Sequence, residues 1–63
     1  MAQVINVLLI DDQPLTRIGI RTVLEKERDL DLAAEADNAA NGFAKFREIR
    51  PDVTILGLRL PDS

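Results

Sequence analysis

Apolar residues run from Val4 to Ile10 with only Asn6 interrupting, and the run stops at Asp11-Asp12. A continuous aliphatic and β-branched run of this length predicts a strand buried on both faces. Pro14 follows, where the first turn of a helix tolerates a missing N–H. From Leu15 to Lys26, Thr16, Gly19, Ile20, Val23 and Leu24 recur at helical spacing, with Arg17, Arg21, Glu25 and Lys26 largely on the other side. Leu15 and Ile18 fall outside that stripe. Residues 30–36 predict a second, weaker strand, whose aspartate and alanines suit a sheet edge. Asp37-Asn38 can cap a second helix over 39–50, with Ala39, Phe43, Phe46 and Ile49 or Arg50 as its apolar stripe. Gly42 inside it weakens the helix by about 1 kcal/mol relative to alanine, and Pro51 stops it. Residues 53–56 are a third, wholly apolar-type strand running into Gly57, and 59–63 read as a loop. Phe43 and Phe46 are expected in the core, Gly19 at a close helix–sheet approach, and the charges from Glu25 to Asp31 in solvent.

The order is β-α-β-α-β. Strands alternating with helices of this length imply parallel pairing through right-handed crossovers. The strand order 2-1-3 follows, with the first strand central. Asp11, Asp12 and Gly57 then share the carboxyl-end rim of the sheet, where open parallel sheets place their working crevice. Gly57 is expected about 4.8 Å across from the end of the first strand. Paired carboxylates at such a rim suit Mg²⁺, a hard cation that takes oxygen ligands. They equally suit a plain structural role, capping the free N–H groups of the first helix.

Composition narrows the chemistry. The chain has 63 residues, 46% hydrophobic and 30% charged, with no cysteine and no histidine. That is one small globular domain or part of one, without disulfides, thiolate metal sites or the usual general base. Eleven acids against eight bases give a net charge of −3, which argues against nucleic-acid binding through this segment. The longest uninterrupted apolar run, Val7 to Ile10, is far shorter than the roughly 20 residues a membrane span needs. Met1-Ala2-Gln3 shows no basic n-region of a signal peptide. A cytoplasmic location without membrane contact is expected.

Val7–Asp11-Asp12-Gln13-Pro14-Leu15, Arg17, Gly19, Glu35-Ala36, Arg50-Pro51-Asp52-Val53 and Leu58-Arg59-Leu60-Pro61 together resemble the first half of a bacterial response-regulator receiver domain. The subgroup that carries a LuxR-type helix-turn-helix output domain is the most similar. The resemblance covers essentially all of residues 1–63 and implies half of a flavodoxin-like doubly wound parallel α/β sheet. It implies a switch in two-component (phosphorelay) signal transduction, in which a histidine kinase donates a phosphoryl group to an aspartate ending the third strand. It further implies that Asp12 binds Mg²⁺ directly, Asp11 through water, and Arg59 through its backbone carbonyl.

The chain departs from that pattern at the acceptor, which is Gly57. Glycine offers no carboxylate for an acyl phosphate, and two carboxylates alone should hold Mg²⁺ weakly. Asp52 lies at the far end of the third strand and Asp62 in a loop, so neither is expected to replace the acceptor. The second half of the family's fold is not represented. An apolar strand edge at Val53, Thr54, Ile55 and Leu56 then invites pairing with another chain, and Ile18 is a candidate contact residue. A homo-oligomer or strand-exchanged dimer is expected, with a histidine kinase or an intact response regulator as further partners. The favoured reading is a non-enzymatic signalling module that works by protein contacts. The alternative is a fragment of a full-length, DNA-binding transcriptional response regulator. An enzyme using Asp11 and Asp12 ranks last, because no nucleophile or base is placed to act.

Overall fold

The apolar run after Val4 forms β1 (Ile5–Ile10), and the chain continues through α1 (Pro14–Glu25), β2 (Leu30–Ala36), α2 (Ala39–Ile49) and β3 (Val53–Leu56). This is a computed structural model, which describes residues 3–57 and Asp62. The sheet is parallel with order β2-β1-β3, as the alternation of strands and helices predicts. Central β1 is buried from Val7 to Ile10, and Leu8 and Leu9 are fully enclosed. Truncating either leucine to alanine in such a setting costs about 2–5 kcal/mol.

The two faces of the sheet are distinguished by β1 itself. Leu8 and Ile10 pack with Ala36, Ala34, Ala39 and Ile49, which puts α2 over that face. Leu9 lies beside Glu35 of β2, whose carboxylate is bonded by Arg21 of α1, so α1 covers the opposite face. Right-handed crossovers to β2 on one side and β3 on the other require this division. β2 reaches its register through a bulge. Val7 pairs with Leu32 and Leu8 with Ala34, leaving Ala33 without a partner on β1. Bulges are common on edge strands, and β2 is an edge as its composition suggested.

Three packing expectations are overturned. Phe43 is 68% exposed and Phe46 47%, so neither ring is core. The residues of α2 that meet the sheet are small or at its ends: Gly42 is buried, and Ala39 and Ile49 pack on the cluster around Ile10. Gly42 is what lets the helix approach, because a methyl group there would stand 2.5 Å from Ile10 Cδ1. Gly19, by contrast, is exposed with nothing within 4 Å of where a side chain would begin. The inward face of α1 is also rotated from the expected one. Leu24 is buried and Ile20, Arg17 and Arg21 are half-buried, whereas Val23 is 62% exposed. The arginines turn inward because acceptors await them there, with their aliphatic stems lying along the helix–sheet boundary. Ile18 is exposed, and residues 25–29 are solvated as expected.

α2 ends one residue before the sequence suggests. Arg50 takes a left-handed conformation (φ 45°) and its N–H bonds Phe46 O at 2.9 Å. A residue before proline is barred from the helical region, and a left-handed residue closes the helix.

Candidate functional site

Asp11 leaves the sheet between its two neighbours. Its N–H donates to Ala36 O at the end of β2 (3.0 Å), and the Gly57 N–H donates to Ile10 O from the end of β3 (2.7 Å). Asp11 and Gly57 therefore stand side by side on the carboxyl-end rim. Asp11 is half-buried and Asp12 exposed.

The Asp11 carboxylate is already engaged. Its Oδ1 accepts the Gln13 N–H at 2.8 Å, an Asx-turn that leads the chain into α1. Gln13 occupies the N-cap position in extended geometry and its side chain caps no backbone group. Instead its Oε1 accepts the Thr16 hydroxyl at 3.1 Å. The other oxygen, Asp11 Oδ2, lies over Gly57, 3.0 Å from where a side-chain carbon on residue 57 would sit.

Two arginines of α1 brace this rim, a role the sequence pattern did not reveal. Arg17 Nη1 donates to the Asp11 carbonyl at 2.9 Å. Arg21 grips Glu35 with both arms, Nε to Oε2 at 3.0 Å and Nη2 to Oε1 at 2.9 Å. Those hydrogen bonds, with the carboxylate's charge, raise the Arg21 pKa above its usual value. Arg17 Nε is 3.9 Å from Glu35 Oε1. Together with Ala36 and Asp37 these side chains line an open cleft of about 320 Å³. The signal for them was Glu35, an acid within a strand, which needs a cationic or hydrogen-bonding partner when partly buried.

The remaining acids have structural partners. Asp52 Oδ2 accepts the Asn6 N–H and its own N–H donates to Asn6 O, both at 2.8 Å, at the opposite end of the sheet. Asp62 faces the start of α2, where Oδ1 accepts the Ala39 N–H (2.5 Å) and Oδ2 the Ala40 N–H (2.9 Å). Those two bonds hold its carboxyl below the usual carboxylate range. Asn38 Oδ1 takes the Asn41 N–H at 2.8 Å. Three of the free N–H groups at this helix start are thus matched by side-chain oxygens. Arg59, whose carbonyl was expected to ligate a metal, lies outside the described residues.

The residues present do not fit a Mg²⁺ site of the strength a dedicated metal protein needs. One Asp11 oxygen is bonded to a backbone N–H, residue 57 contributes no oxygen from a side chain, and among the described residues no three acidic side chains converge. Among the described residues, no helix is long and apolar enough to cross a membrane.

Comparison with known proteins agrees with this geometry. Residues 7–63 match the response regulator receiver domain family. The transcriptional regulatory protein BtsR of Escherichia coli is 37% identical over 57 residues, which span 90% of this chain and 24% of that protein. The receiver domain of the response regulator NarL from Mycobacterium tuberculosis superposes with a TM-score of 0.89 at 30% identity, covering 94% of this chain and 48% of that one. A LuxR-family two-component response regulator from Aurantimonas gives 0.86 at 32% identity, covering 94% and 42%. The chain thus spans about a quarter of the curated relative and under half of either solved structure.

Proposed function

The chain belongs to the response regulator receiver domain family, and from that premise we propose a receiver module that cannot be phosphorylated and signals through protein contacts. The observation that carries this reading is Gly57. It stands at the end of β3 beside Asp11, where the family's chemistry needs a carboxylate nucleophile. Phosphoryl transfer to an acyl phosphate requires that oxygen. Asp52 does not supply it, since its carboxylate is bonded at the opposite end of the sheet, and neither does Asp62, whose two oxygens are taken by the Ala39 and Ala40 N–H groups. Asp11 and Asp12, with the Arg59 carbonyl that the family resemblance implies, would be a weak set for Mg²⁺.

Contacts then carry the function. Val53 and Leu56 on the edge of the sheet are 47% and 57% exposed, and Thr54 is exposed with them. With half-buried Ile55 they offer a strand for pairing with a second copy of the chain. Exposed Ile18 adds an apolar contact on α1. A histidine kinase, occupied without phosphoryl transfer, and an intact response regulator are the other partners, in the cytoplasm.

A second reading has its own support. The matched relative is a transcriptional regulator of which the chain spans 24%, so these residues can serve as part of a DNA-binding response regulator.

Treatment of the purified chain with acetyl phosphate and Mg²⁺, followed by intact mass measurement, tests the proposal. No added phosphate is expected. A stoichiometric, base-labile phosphate adduct overturns it.

A further inference from the structure

We infer that β3 and the helix flanks beside it form one docking surface, and that its occupant is the second half of a receiver domain supplied by another chain. The inference deepens the reading above, on whose use of protein contacts it rests, by naming the class of partner.

β3 is bare on three sides. Among the described residues, α1 packs on β2 and α2 on β2 and β1, and neither helix lies over β3 to a comparable extent. The register puts Val53 and Ile55 beside Val7 and Leu9 on the α1 face, and Thr54 and Leu56 beside Leu8 and Ile10 on the α2 face. None of the four is charged, yet Val53, Thr54 and Leu56 are exposed and Ile55 is half-buried. Their partners on β1 are all buried. A strand of a parallel sheet is normally covered by helices on both faces, so what β3 lacks is cover.

The helix flanks repeat the pattern. Arg21 grips Glu35 of β2 and so marks the β2-side flank of α1, with Arg17 one turn before it. Gly19 and Val23 stand about 200° round the helix from Arg17 and Arg21, on the flank turned away from β2. Val23 and Leu15 are exposed there, and Gly19 between them has nothing within 4 Å of where a side chain would begin. A glycine so placed makes a saddle on which another helix can approach closely. On the other face, Phe43 and Phe46 of α2 are exposed over the side of the sheet that carries Leu56.

Three open sides decide between occupants. A second copy joined edge to edge brings another bare β3, because its own helices stand over its own β2 and β1, and it covers neither face. The surface calls for a strand on the edge with a helix on each face. Parallel edges are extended by strand–helix units of that kind. The NarL receiver domain holds this chain's fold in 48% of its length, and the other half of that domain is the polypeptide of matching size.

The test co-produces the full chain with the part of the NarL receiver domain that it does not match, as a separate polypeptide. Light scattering is expected to show a one-to-one complex in place of self-association, with the amides of Val53 to Leu56 protected from hydrogen exchange. Val23→Asp and Phe43→Asp change exposed positions, so the helical circular dichroism of the chain alone should stay unchanged. Each is expected to weaken the complex by about tenfold or more, because each buries an unpaired charge at the contact. Absence of a complex overturns the inference, as does an affinity that responds to Thr54→Lys and to neither flank variant. Persistence of the homo-oligomer beside the added polypeptide also overturns it and leaves the edge to a second copy. The phosphate adduct described above would sink the phosphorylation-free reading and leave this docking intact. A missing complex would sink the docking alone.

Discussion

Gly42 of α2 lies directly on Ile10 of β1, with so little space between them that a methyl group on residue 42 would stand 2.5 Å from Ile10 Cδ1 and 3.0 Å from Cγ1. Helix propensity alone favours alanine at position 42 by about 1 kcal/mol. Overpacking opposes it by about 1–3 kcal/mol. Gly42→Ala is therefore expected to lower stability in urea denaturation, and Ile10→Val, which removes Cδ1, to recover part of the loss. A Gly42→Ala chain more stable than the parent would show that α2 can lift off the sheet freely.

Arg17 links α1 to the acidic rim through the Asp11 carbonyl. Hydrogen bonds to charged groups contribute about 1.5–3 kcal/mol when buried, and partial exposure reduces this toward about 1 kcal/mol. Arg17→Ala should cost about that much in chemical denaturation. Arg17→Lys should recover only part, because a single ammonium lacks the planar fork that reaches the carbonyl while staying near Glu35. Equal stability of all three chains would assign the contact no weight.

Asp62 makes the start of α2 sensitive to acid. Its carboxyl is held below the usual range by the N–H groups of Ala39 and Ala40. A group with a lowered folded-state pKa adds stability above its unfolded pKa, about 3.9 for aspartate. That stability fades as pH falls through the lower folded value. The Ala39 and Ala40 amide resonances should therefore titrate together in acid, with a midpoint below that of a free aspartate. Asp62→Asn should abolish this shared titration. A midpoint at or above the ordinary value would remove the tie between residue 62 and α2.

Val53 and Leu56 leave the outer edge of β3 apolar and open. Such an edge is a template for a further strand. Light scattering on the purified chain at micromolar concentration is expected to give a dimer or larger species. Lysine at position 54, on that edge, should shift it toward monomer. A cooperative monomer in the unaltered chain would set aside the second copy as a partner.

The sequence disclosed the elements more fully than their faces. Val53 to Leu56 was legible as a strand because its run is apolar and bounded by Pro51 and Gly57. The meeting of Asp11 with Gly57 followed from parallel pairing alone. Rotation of the helices was not legible, because α1 carries two overlapping stripes and the choice between them is made by Glu35, eighteen residues beyond Arg17 in sequence. Phe43 and Phe46 misled for a related reason. Apolar character marks a helix face, but on α2 it is a glycine, Gly42, that marks where the helix touches the sheet. Asp62 was invisible as a cap because its partners at Ala39 and Ala40 lie more than twenty residues earlier, and nothing local announces the bond.

The unpaired Ala33 of β2 sets a parity for everything after it. Were Ala33 paired with Leu8 and the bulge absent, Ile10 would sit beside Glu35 in place of Ala36, and a carboxylate would be carried through to the oily side beneath α2, far from Arg21. Skipping this single small, exposed alanine thus keeps the inside and outside of half a strand from being exchanged. Its place in the count, more than its chemistry, keeps charge with charge.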